Sequence, residues 1–363
     1  MAAKGERAAQ IELPDTMWAA VYRGKGKVRV EKLPVPEVGP GEALVRVDTC
    51  GVCATDLKKV EYGLVPPPRV FGHETAGTVV AMGRGARRWV IGDRVAVLHH
   101  IPCRVCFYCR HGDYAQCAAY KKTGTTAGFE PAGGGFAEYV RVLPWIVSRG
   151  MVLVPPDVTL EEASFIEPVS TCVKGIARLN LKRGEEVLVF GQGAIGLIFT
   201  QLVRIDGARP IGLDYLEPRR QLALKLGARR ADDPRREACG TLIMKDTHGH
   251  GADAAILAVP SQAALDQALR WVRPGGRVLL FAHTRKGELA SFDAGAVTVE
   301  DKTLIGCYSS DADLQGLAEK LVFSRRLRVA PLISHRFPLS QAVEAFDLAL
   351  HPTSRSFKIL VKP

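Results

Sequence analysis

At residues 186–196 the chain reads Glu-Val-Leu-Val-Phe-Gly-Gln-Gly-Ala-Ile-Gly. The first five residues favour a short buried strand, and the glycines behind it lead into a helical pattern. In a strand–turn–helix unit, glycines at this spacing let the backbone approach a pyrophosphate at the helix amino terminus. A plain glycine turn in an α/β domain would leave the same pattern. The candidate dinucleotide-binding residues are Gly191, Gln192, Gly193, Ile195 and Gly196.

The sequence on both sides of this segment alternates between short apolar strands and helices. Such alternation indicates a doubly wound parallel sheet with helices on both faces, which is a Rossmann-type domain. Further strands are predicted at 210–214, 254–258 and 278–282, and helices at 169–179, 219–226 and 262–271.

Asp214 ends the strand that follows the glycine segment, 18 positions after Gly196. A carboxylate at this place accepts hydrogen bonds from an adenosine ribose and repels a 2′-phosphate. NAD(H) is therefore the predicted cofactor, and NADP is less favoured. Arg219 and Arg220 lie close by in the sequence and keep a phosphate-binding alternative open. Arg219 is counted among the candidate cofactor-binding residues.

The rest of the chain differs in character from this α/β region. Residues 17–165 are rich in glycine, proline and short β-type runs, while helices return at 314–323 and 341–350 before a closing strand at 357–361. We therefore predict a β-rich domain over 1–167, the dinucleotide-binding domain over 168–308, and a return to the first domain over 309–363. The predicted strands of the β-rich part are 19–22, 28–33, 43–47, 77–82 and 94–98.

Four cysteines fall within 15 residues, at positions 103, 106, 109 and 117. Four thiolates at this loop spacing can surround one tetrahedral Zn²⁺ and leave no position open, so the site is predicted to be structural. Unconnected cysteines and an iron–sulfur cluster are the alternatives, although the run lacks the Cys-Pro ending typical of bacterial ferredoxins. The predicted zinc ligands are Cys103, Cys106, Cys109 and Cys117, in a lobe at about residues 99–120.

The composition limits the classes of partner. Lys and Arg number 49 against 38 Asp and Glu, a net charge of +11, but the basic residues are scattered in pairs and form no long run. We therefore predict no nucleic-acid partner. The amino terminus shows no secretory signal, and the most apolar segment, residues 187–205, carries too many polar residues for a membrane span. Nine cysteines without an evident disulfide pattern favour a cytoplasmic location.

Two further segments supply potential metal ligands: residues 51–56, Gly-Val-Cys-Ala-Thr-Asp, and residues 72–77, Gly-His-Glu-Thr-Ala-Gly. Together with the cysteine loop and the glycine segment, they resemble the zinc-dependent alcohol dehydrogenases of the medium-chain family. The resemblance runs from about residue 17 to the end of the chain. It implies a GroES-like catalytic domain joined to the Rossmann domain, with two zinc ions per chain, one catalytic and one structural.

The resemblance also implies roles for individual residues of these segments. Cys53 and His73 are expected to ligate the catalytic zinc, with Glu74 beside the metal. Asp56 is expected to orient the His73 ring, and Thr55 to contact the alcohol and begin a proton relay.

Glu167 occupies the place where classical alcohol dehydrogenases carry another cysteine ligand. A carboxylate there resembles the polyol, sorbitol and threonine dehydrogenase branches and is a harder, more exchangeable ligand. A plain helix-start carboxylate is the alternative. Lys58 departs from the family, whose members often carry a histidine there as the outer member of the relay. It could pass a proton, hold a substrate anion or be a solvated surface charge.

By the same resemblance, Thr171 contacts nicotinamide and Lys358 faces the cofactor phosphates, although a surface lysine is an alternative for Lys358. The implied activity is NAD-dependent, reversible oxidation of a secondary alcohol of a polyol, sugar alcohol or cyclitol to the ketone. A dehydrogenase of threonine or of a sugar-alcohol phosphate is the nearest alternative. A non-catalytic zinc and dinucleotide binding protein is an alternative from another class. Relatives form homodimers or homotetramers, which we expect here as well.

Overall fold

The computed structural model describes residues 12–86, 88–99, 101–122, 125–129, 133–282 and 287–363. The chain divides into two compact units. Unit 1 comprises residues 1–167, 335–351 and 359–363, and unit 2 comprises residues 168–334 and 352–358. Within the described ranges, none of the helices is both long and apolar enough to cross a lipid bilayer.

Unit 1 is mainly β-structure with short helices. Its elements up to the division are β1 (Thr16–Gly24), β2 (Lys27–Pro34), β3 (Ala43–Gly51), α1 (Ala54–Tyr62), β4 (Arg69–Val70), β5 (Glu74–Met82), β6 (Arg94–Val97), α2 (Phe107–Arg110), α3 (Ala118–Lys122), β7 (Thr125–Thr126), β8 (Tyr139–Val142), α4 (Pro144–Arg149), β9 (Met151–Leu153) and α5 (Leu160–Ala163).

The chain then continues through the elements α6 (Ile166–Leu179), β10 (Glu186–Phe190), α7 (Ala194–Ile205), β11 (Arg209–Leu213), α8 (Glu217–Lys225), β12 (Arg230–Asp232), α9 (Ala238–Asp246), β13 (Ala252–Leu257), α10 (Gln262–Trp271), β14 (Val272–Leu280), α11 (Ala294–Thr298), β15 (Thr303–Gly306) and α12 (Gln315–Phe323). It closes with β16 (Ile333–Pro338), α13 (Ala342–Leu350) and β17 (Lys358–Lys362).

The larger sheet of unit 1 has the strand order β16-β17-β3-β5-β6-β9, with β8 added beside β3 and β7 beside β8. A smaller sheet has the order β2-β1-β4. Inward-facing residues such as Val45, Val79 and Val95 are fully buried and belong to one apolar core. The last strand, β17, pairs antiparallel with β3 through Leu360 and Val361. The carboxyl-terminal segment is thereby held within the unit that contains the predicted metal ligands.

Unit 2 contains a parallel six-stranded sheet in the order β12-β11-β10-β13-β14-β15. Every residue of β10 is buried, as expected for a central strand covered by helices on both faces. The predicted fold class, a β-rich GroES-like domain with a Rossmann domain, is confirmed. The limits of β10 and α10 agree with the sequence prediction, and most other limits differ by one to a few residues.

The second unit extends further along the chain than the predicted boundary at residue 308. It continues through α12 to Ser334. Within the predicted limits it also contains β15, a strand that the sequence periodicity does not indicate. One cause of the extension is a reciprocal pair of hydrogen bonds: Gln201 Nε2 donates to the Arg328 carbonyl at 3.1 Å, and Arg328 N donates to Gln201 Oε1 at 2.9 Å. Residues 352–358 also belong to this unit. The predicted return to the first unit at residue 309 therefore comes later, at His335.

Candidate functional site

The pairing of β3 with β5 brings two predicted zinc ligands together. The two strands are antiparallel, and their register places Gly51, the last residue of β3, opposite Glu74, the first residue of β5. Cys53 follows β3 by two positions and His73 precedes β5 by one, so both leave the sheet at the same place. Cys53 is also the residue that caps α1, with its Sγ 3.5 Å from Thr55 N.

Asp56 lies in the first turn of α1 and is almost completely buried beside His73. His73 Nδ1 and Asp56 Oδ1 are 3.1 Å apart, so the carboxylate fixes the ring and leaves Nε2 for another partner. Burial lowers the pKa of His73, but the nearby Asp56 and Cys53 raise it by more, and it stands well above its usual value. A pocket that favours a proton on this ring to that extent also favours a metal cation.

The Glu74 carboxylate completes a group of three different donors. One donor atom each from Cys53, His73 and Glu74 lies within 4.8 Å of the others. A thiol, an imidazole and a carboxylate are the donor types that zinc binds, and three protein donors leave a position open for a substrate. Glycine at position 51 is needed for this arrangement, because a Cβ there would lie 1.9 Å from Glu74 Oε2. The residues present fit a zinc ion of the catalytic type.

The other residues predicted for this site are in the same unit. Glu167 is buried, 8% exposed, in the first turn of α6, but the group of three donors contains Glu74 and not Glu167. Thr55 and Lys58 are both half-buried on α1.

Two residues that the sequence analysis did not single out also lie near these donors. Lys59 places its Nζ 5.5 Å from the centre of the Phe71 ring, and its charge helps His73 to lower the pKa of Asp56 against the effect of burial. The spacing of Asp56 and Lys59, one helical turn apart, could have indicated this pair. The buried ring of His99 lies 5.1 Å from that of His73, centre to centre. Nothing in the sequence around His99 indicates that it lies beside His73.

The four cysteines of the predicted lobe form the second group of metal donors. All four Sγ atoms lie within 4.8 Å of one another. Cys106 Sγ is 3.5 Å from Cys109 Sγ, and Cys103 Sγ is 3.6 Å from Cys117 Sγ and 3.9 Å from Cys109 Sγ. A tetrahedron with Zn–S bonds of about 2.3 Å has edges of about 3.8 Å. The spacing fits zinc. Backbone N–H groups of Val105 and Cys106 lower the pKa of Cys103 to about 6, which favours the thiolate.

The glycine segment lies between β10 and α7 in unit 2. Gly196 packs the helix against the strand, since a Cβ there would lie 1.7 Å from the Gly191 carbonyl oxygen. Gly193 is different: among the described atoms, a Cβ would come within 4 Å only of Arg219 Nη1, at 3.9 Å, so packing within the protein does not require glycine. Gly193 begins α7 without a side-chain capping bond, and Ile195 in the first turn is half-buried. An uncapped helix start with room beside it fits a dinucleotide pyrophosphate.

Gln192 and Asp214 are joined within the protein. Gln192 is fully buried; its N–H donates to Asp214 Oδ2 at 2.7 Å, and its side chain bonds Val189 and Thr200. Asp214 Oδ1 accepts a further backbone N–H, from Leu216 at 2.8 Å. Asp214 therefore ties the glycine segment to the start of α8. The Gln192 side chain points into the packed interior, a direction that motif spacing does not reveal.

Three other predicted cofactor residues also belong to unit 2. Arg219 lies 3.8 Å from Asp214 Oδ2 and donates to the Ser356 carbonyl at 3.0 Å. Thr171 is half-buried on α6, where its hydroxyl donates to the Pro168 carbonyl at 2.8 Å. Lys358 is buried, 6% exposed, which argues against its alternative interpretation as a surface lysine.

Comparison with protein families gives two matches. Residues 39–151 match the alcohol dehydrogenase GroES-like domain, and residues 194–323 match the zinc-binding dehydrogenase family. These matches correspond to the two kinds of unit that the structure contains.

Individual relatives cover nearly the whole chain. A sorbitol dehydrogenase of Bacillus subtilis is 28% identical over 361 residues, which are 97% of this chain and 98% of that protein. An L-threonine 3-dehydrogenase of Pyrococcus abyssi is 31% identical, covering 87% of this chain and 90% of that protein. A zinc-binding dehydrogenase of Sinorhizobium meliloti, solved with bound NADP, is 27% identical with a TM-score of 0.85 and covers 96% and 100% of the two chains.

Proposed function

The chain belongs to the zinc-dependent alcohol dehydrogenase family, and on this premise we propose that it oxidises a secondary alcohol of a polyhydroxylated substrate to the ketone, reversibly, with NAD⁺ as hydride acceptor. As a member of this family it is an oxidoreductase that acts on CH–OH groups. The observation that carries the proposal is the group formed by Cys53, His73 and Glu74, with Asp56 bonded to His73.

We propose that the catalytic zinc is held by Cys53, His73 and Glu167, with Glu74 beside it, and that the four cysteines of the lobe hold a structural zinc. When bound, a zinc ion at the first site lowers the pKa of an alcohol and makes it easier to deprotonate at neutral pH. Support for Glu74 as an exchangeable neighbour comes from its place within 4.8 Å of the other donors. Support for Glu167 comes from its burial at the start of α6 and from the resemblance.

The residues of α1 have distinct parts in the proposed reaction. Asp56 holds the Nδ1 side of His73, so that the ring keeps one orientation while the substrate changes charge. The Thr55 hydroxyl takes the proton from the alcohol and passes it towards solvent. Lys58 follows on the same helix as the candidate for the next position of the relay. A bound NAD⁺ would supply the acceptor for the hydride of the alcohol carbon.

The cofactor preference is the second part of the proposal. Asp214 has its carboxylate beside the glycine segment, where it favours a ribose with free hydroxyls over a 2′-phosphate. Arg219, 3.8 Å away, offsets part of this negative charge. We expect Asp214→Ala to reduce the ratio of kcat/KM with NAD⁺ to that with NADP⁺ by about tenfold or more. An unchanged ratio would remove the physical basis of the preference.

The substrate class is proposed from Glu167 and from the similarity to a sorbitol dehydrogenase. A carboxylate ligand can be displaced more readily than a thiolate, which gives a substrate room to bind through two neighbouring oxygens. A threonine dehydrogenase is the second candidate, favoured by the 31% identity to the Pyrococcus abyssi enzyme. A sugar-alcohol phosphate is a variant of the polyol candidate. The net charge of +11 and the presence of Lys58 favour such an anionic substrate.

The test is a substrate panel with NAD⁺ and NADP⁺, followed at the nicotinamide absorbance. It should contain sorbitol, xylitol, a cyclitol, glycerol phosphate, L-threonine, and a simple secondary alcohol without a neighbouring hydroxyl as control. We expect the polyols to react with NAD⁺ at a higher kcat/KM than the control. Preference for threonine would select the second candidate. Tight NADH binding without turnover of any alcohol would favour a non-catalytic binding protein.

Location and assembly complete the proposal. None of the nine cysteines, all of which lie in the described ranges, forms a disulfide; this agrees with a reducing compartment, and we propose the cytoplasm. We also propose a homodimer or homotetramer, as the resemblance implies, which light scattering of the purified protein would check.

A further inference from the structure

The chain that follows β15 lies at a particular edge of the six-stranded sheet. β15 is parallel to β14, β13 and β10, so residues 307–310 leave the sheet at the same carboxyl edge as the glycine segment. Ligands of open parallel sheets bind at this edge, beside the strand where the order reverses. In this sheet that strand is β10, with β11 on one side and β13, β14 and β15 on the other.

The strand order separates the two halves of a dinucleotide. Asp214, the residue placed to meet the adenosine ribose, follows β11. The other half of the cofactor must then extend across β10 towards β13, β14 and β15. Residues 307–310 therefore lie on the nicotinamide side. This assignment rests on the proposed function.

Lys174 fastens these residues to α6. It is only 8% exposed, and its Nζ donates to the Tyr308 carbonyl at 2.9 Å and to the Ser310 carbonyl at 3.4 Å. One turn later on the same helix, Arg178 donates to the Gly306 carbonyl. An ammonium group is stable in a buried place only with acceptors around it, so Lys174 and these carbonyls fix one another.

The backbone between the two carbonyls is in an uncommon conformation. Ser309 has φ +57°, in the left-handed region that a residue with a side chain rarely adopts. Such a conformation costs free energy and persists only where the surroundings hold it. The two hydrogen bonds from Lys174 bind the residues on either side of Ser309 and stabilise this conformation.

We propose that Lys174 is a positioning residue for the nicotinamide half of the bound dinucleotide. By fixing Tyr308 and Ser310 on either side of Ser309, it gives the peptide groups of residues 307–310 one arrangement at the carboxyl edge of the sheet. The nicotinamide and its amide then meet a preformed surface, and no ordering of this segment is needed on binding. Thr171, the predicted nicotinamide contact, lies three residues before Lys174 on α6.

A second buried lysine, Lys302, lies next to the other end of β15 and provides a matched control. Lys302 precedes β15 at its amino end, is 8% exposed, and donates to the Leu269 carbonyl. Lys302 also pairs with Glu300, but like Lys174 it donates to a backbone carbonyl from a buried position, at the opposite end of β15. Only Lys174 bonds residues at the edge where the cofactor is proposed to bind.

The experiment compares Lys174→Met and Lys302→Met in the full-length protein. The dissociation constants of NADH and of ADP-ribose, which lacks the nicotinamide, are measured by fluorescence and by calorimetry. Lys174→Met should weaken NADH about tenfold or more while ADP-ribose changes less than about twofold. Lys302→Met should leave the ratio of the two constants unchanged, whatever its effect on Tm. Lys174→Arg, which keeps a cation, should recover part of the NADH affinity.

The outcomes separate this proposal from the proposed function. Equal weakening of both ligands by Lys174→Met, or no weakening of either, would make Lys174 a merely structural residue. If that variant does not fold, Ser309→Val tests the same segment: a β-branched residue raises the cost of the left-handed conformation at this position and should weaken NADH about threefold without affecting ADP-ribose. A lack of effect would overturn the proposal. Failure of the unaltered protein to bind NADH would contradict the proposed function instead.

Discussion

The two groups of metal donors in unit 1 are built in opposite ways. Cys103, Cys106, Cys109 and Cys117 come from one short segment, present four identical donors and leave no open position. Cys53, His73 and Glu74 come from the facing ends of two strands and present three different donors. The first group can form wherever its loop closes, whereas the second exists only when β3 and β5 are in register. A closed local site suits stability, and an open site made by the fold suits reaction.

The largest effect that this comparison predicts is on activity. Replacing Cys53 by Ala removes a ligand of the open site, so kcat/KM should fall at least about 1000-fold, equivalent to about 4 kcal/mol. Bound zinc should fall by one ion per chain, and Tm should change little, because the lobe is untouched. Kinetics measures the loss of activity, and elemental analysis measures the zinc content. Cys239→Ala, the loss of a buried thiol on α9 of unit 2 that belongs to neither group, is the control and should keep full zinc. Full activity and full zinc content in Cys53→Ala would show that this group is not the reactive site.

The lobe should respond in the reverse manner. Its own core consists of little more than Cys109, Ala115, Cys117 and Tyr120, so without metal it has little to hold it together. Cys106→Ala should therefore lose one zinc and lower Tm by about 5–10 °C. The kcat of the remaining folded protein should stay within about twofold of the original. Calorimetry and kinetics on the same sample check this. A loss of kcat comparable to that of Cys53→Ala would contradict the assignment of the lobe to stability and of the open site to reaction.

The contrast between local and fold-made sites also explains how much the sequence predicted. The cysteine lobe and the glycine segment are continuous in sequence, and spacing alone indicated their donors and the limits of β10. The proximity of Cys53 and His73 came from a family resemblance, because 20 residues and a strand register separate them.

Contacts that arise from side-chain packing are not indicated by any motif or spacing in the sequence. His99 beside His73 and the inward-turned Gln192 depend on how side chains fill space. The extension of unit 2 to Ser334 depends on long-range hydrogen bonds of Gln201. Periodicity describes one segment at a time, so it cannot report such contacts.

The third effect concerns the two carboxylates near the open site. If Glu167 is the permanent ligand and Glu74 an exchangeable neighbour, Glu167→Gln should weaken zinc binding about 10- to 100-fold. Glu74→Gln should weaken it less and act mainly on kcat. Both variants keep shape and remove charge, so each is the control for the other. Competition with a zinc chelator measures the affinities. The reverse order would make Glu74, which lies with Cys53 and His73, the permanent ligand.

The smallest effect distinguishes two neighbouring lysines of α1. Lys59 contributes to lowering the pKa of Asp56 and thereby favours the carboxylate that orients His73. Half-exposed charges couple weakly, so Lys59→Gln should lower kcat/KM by up to about fivefold. Lys58→Gln should change it less than about twofold if Lys58 is a solvated charge. If Lys58 instead continues the proton relay from Thr55, the same variant should lower kcat and shift the pH profile of kcat while leaving zinc content unchanged. The pH profiles of the two variants, measured side by side, therefore decide whether the departure at Lys58 belongs to the chemistry of the open site or only to its surface.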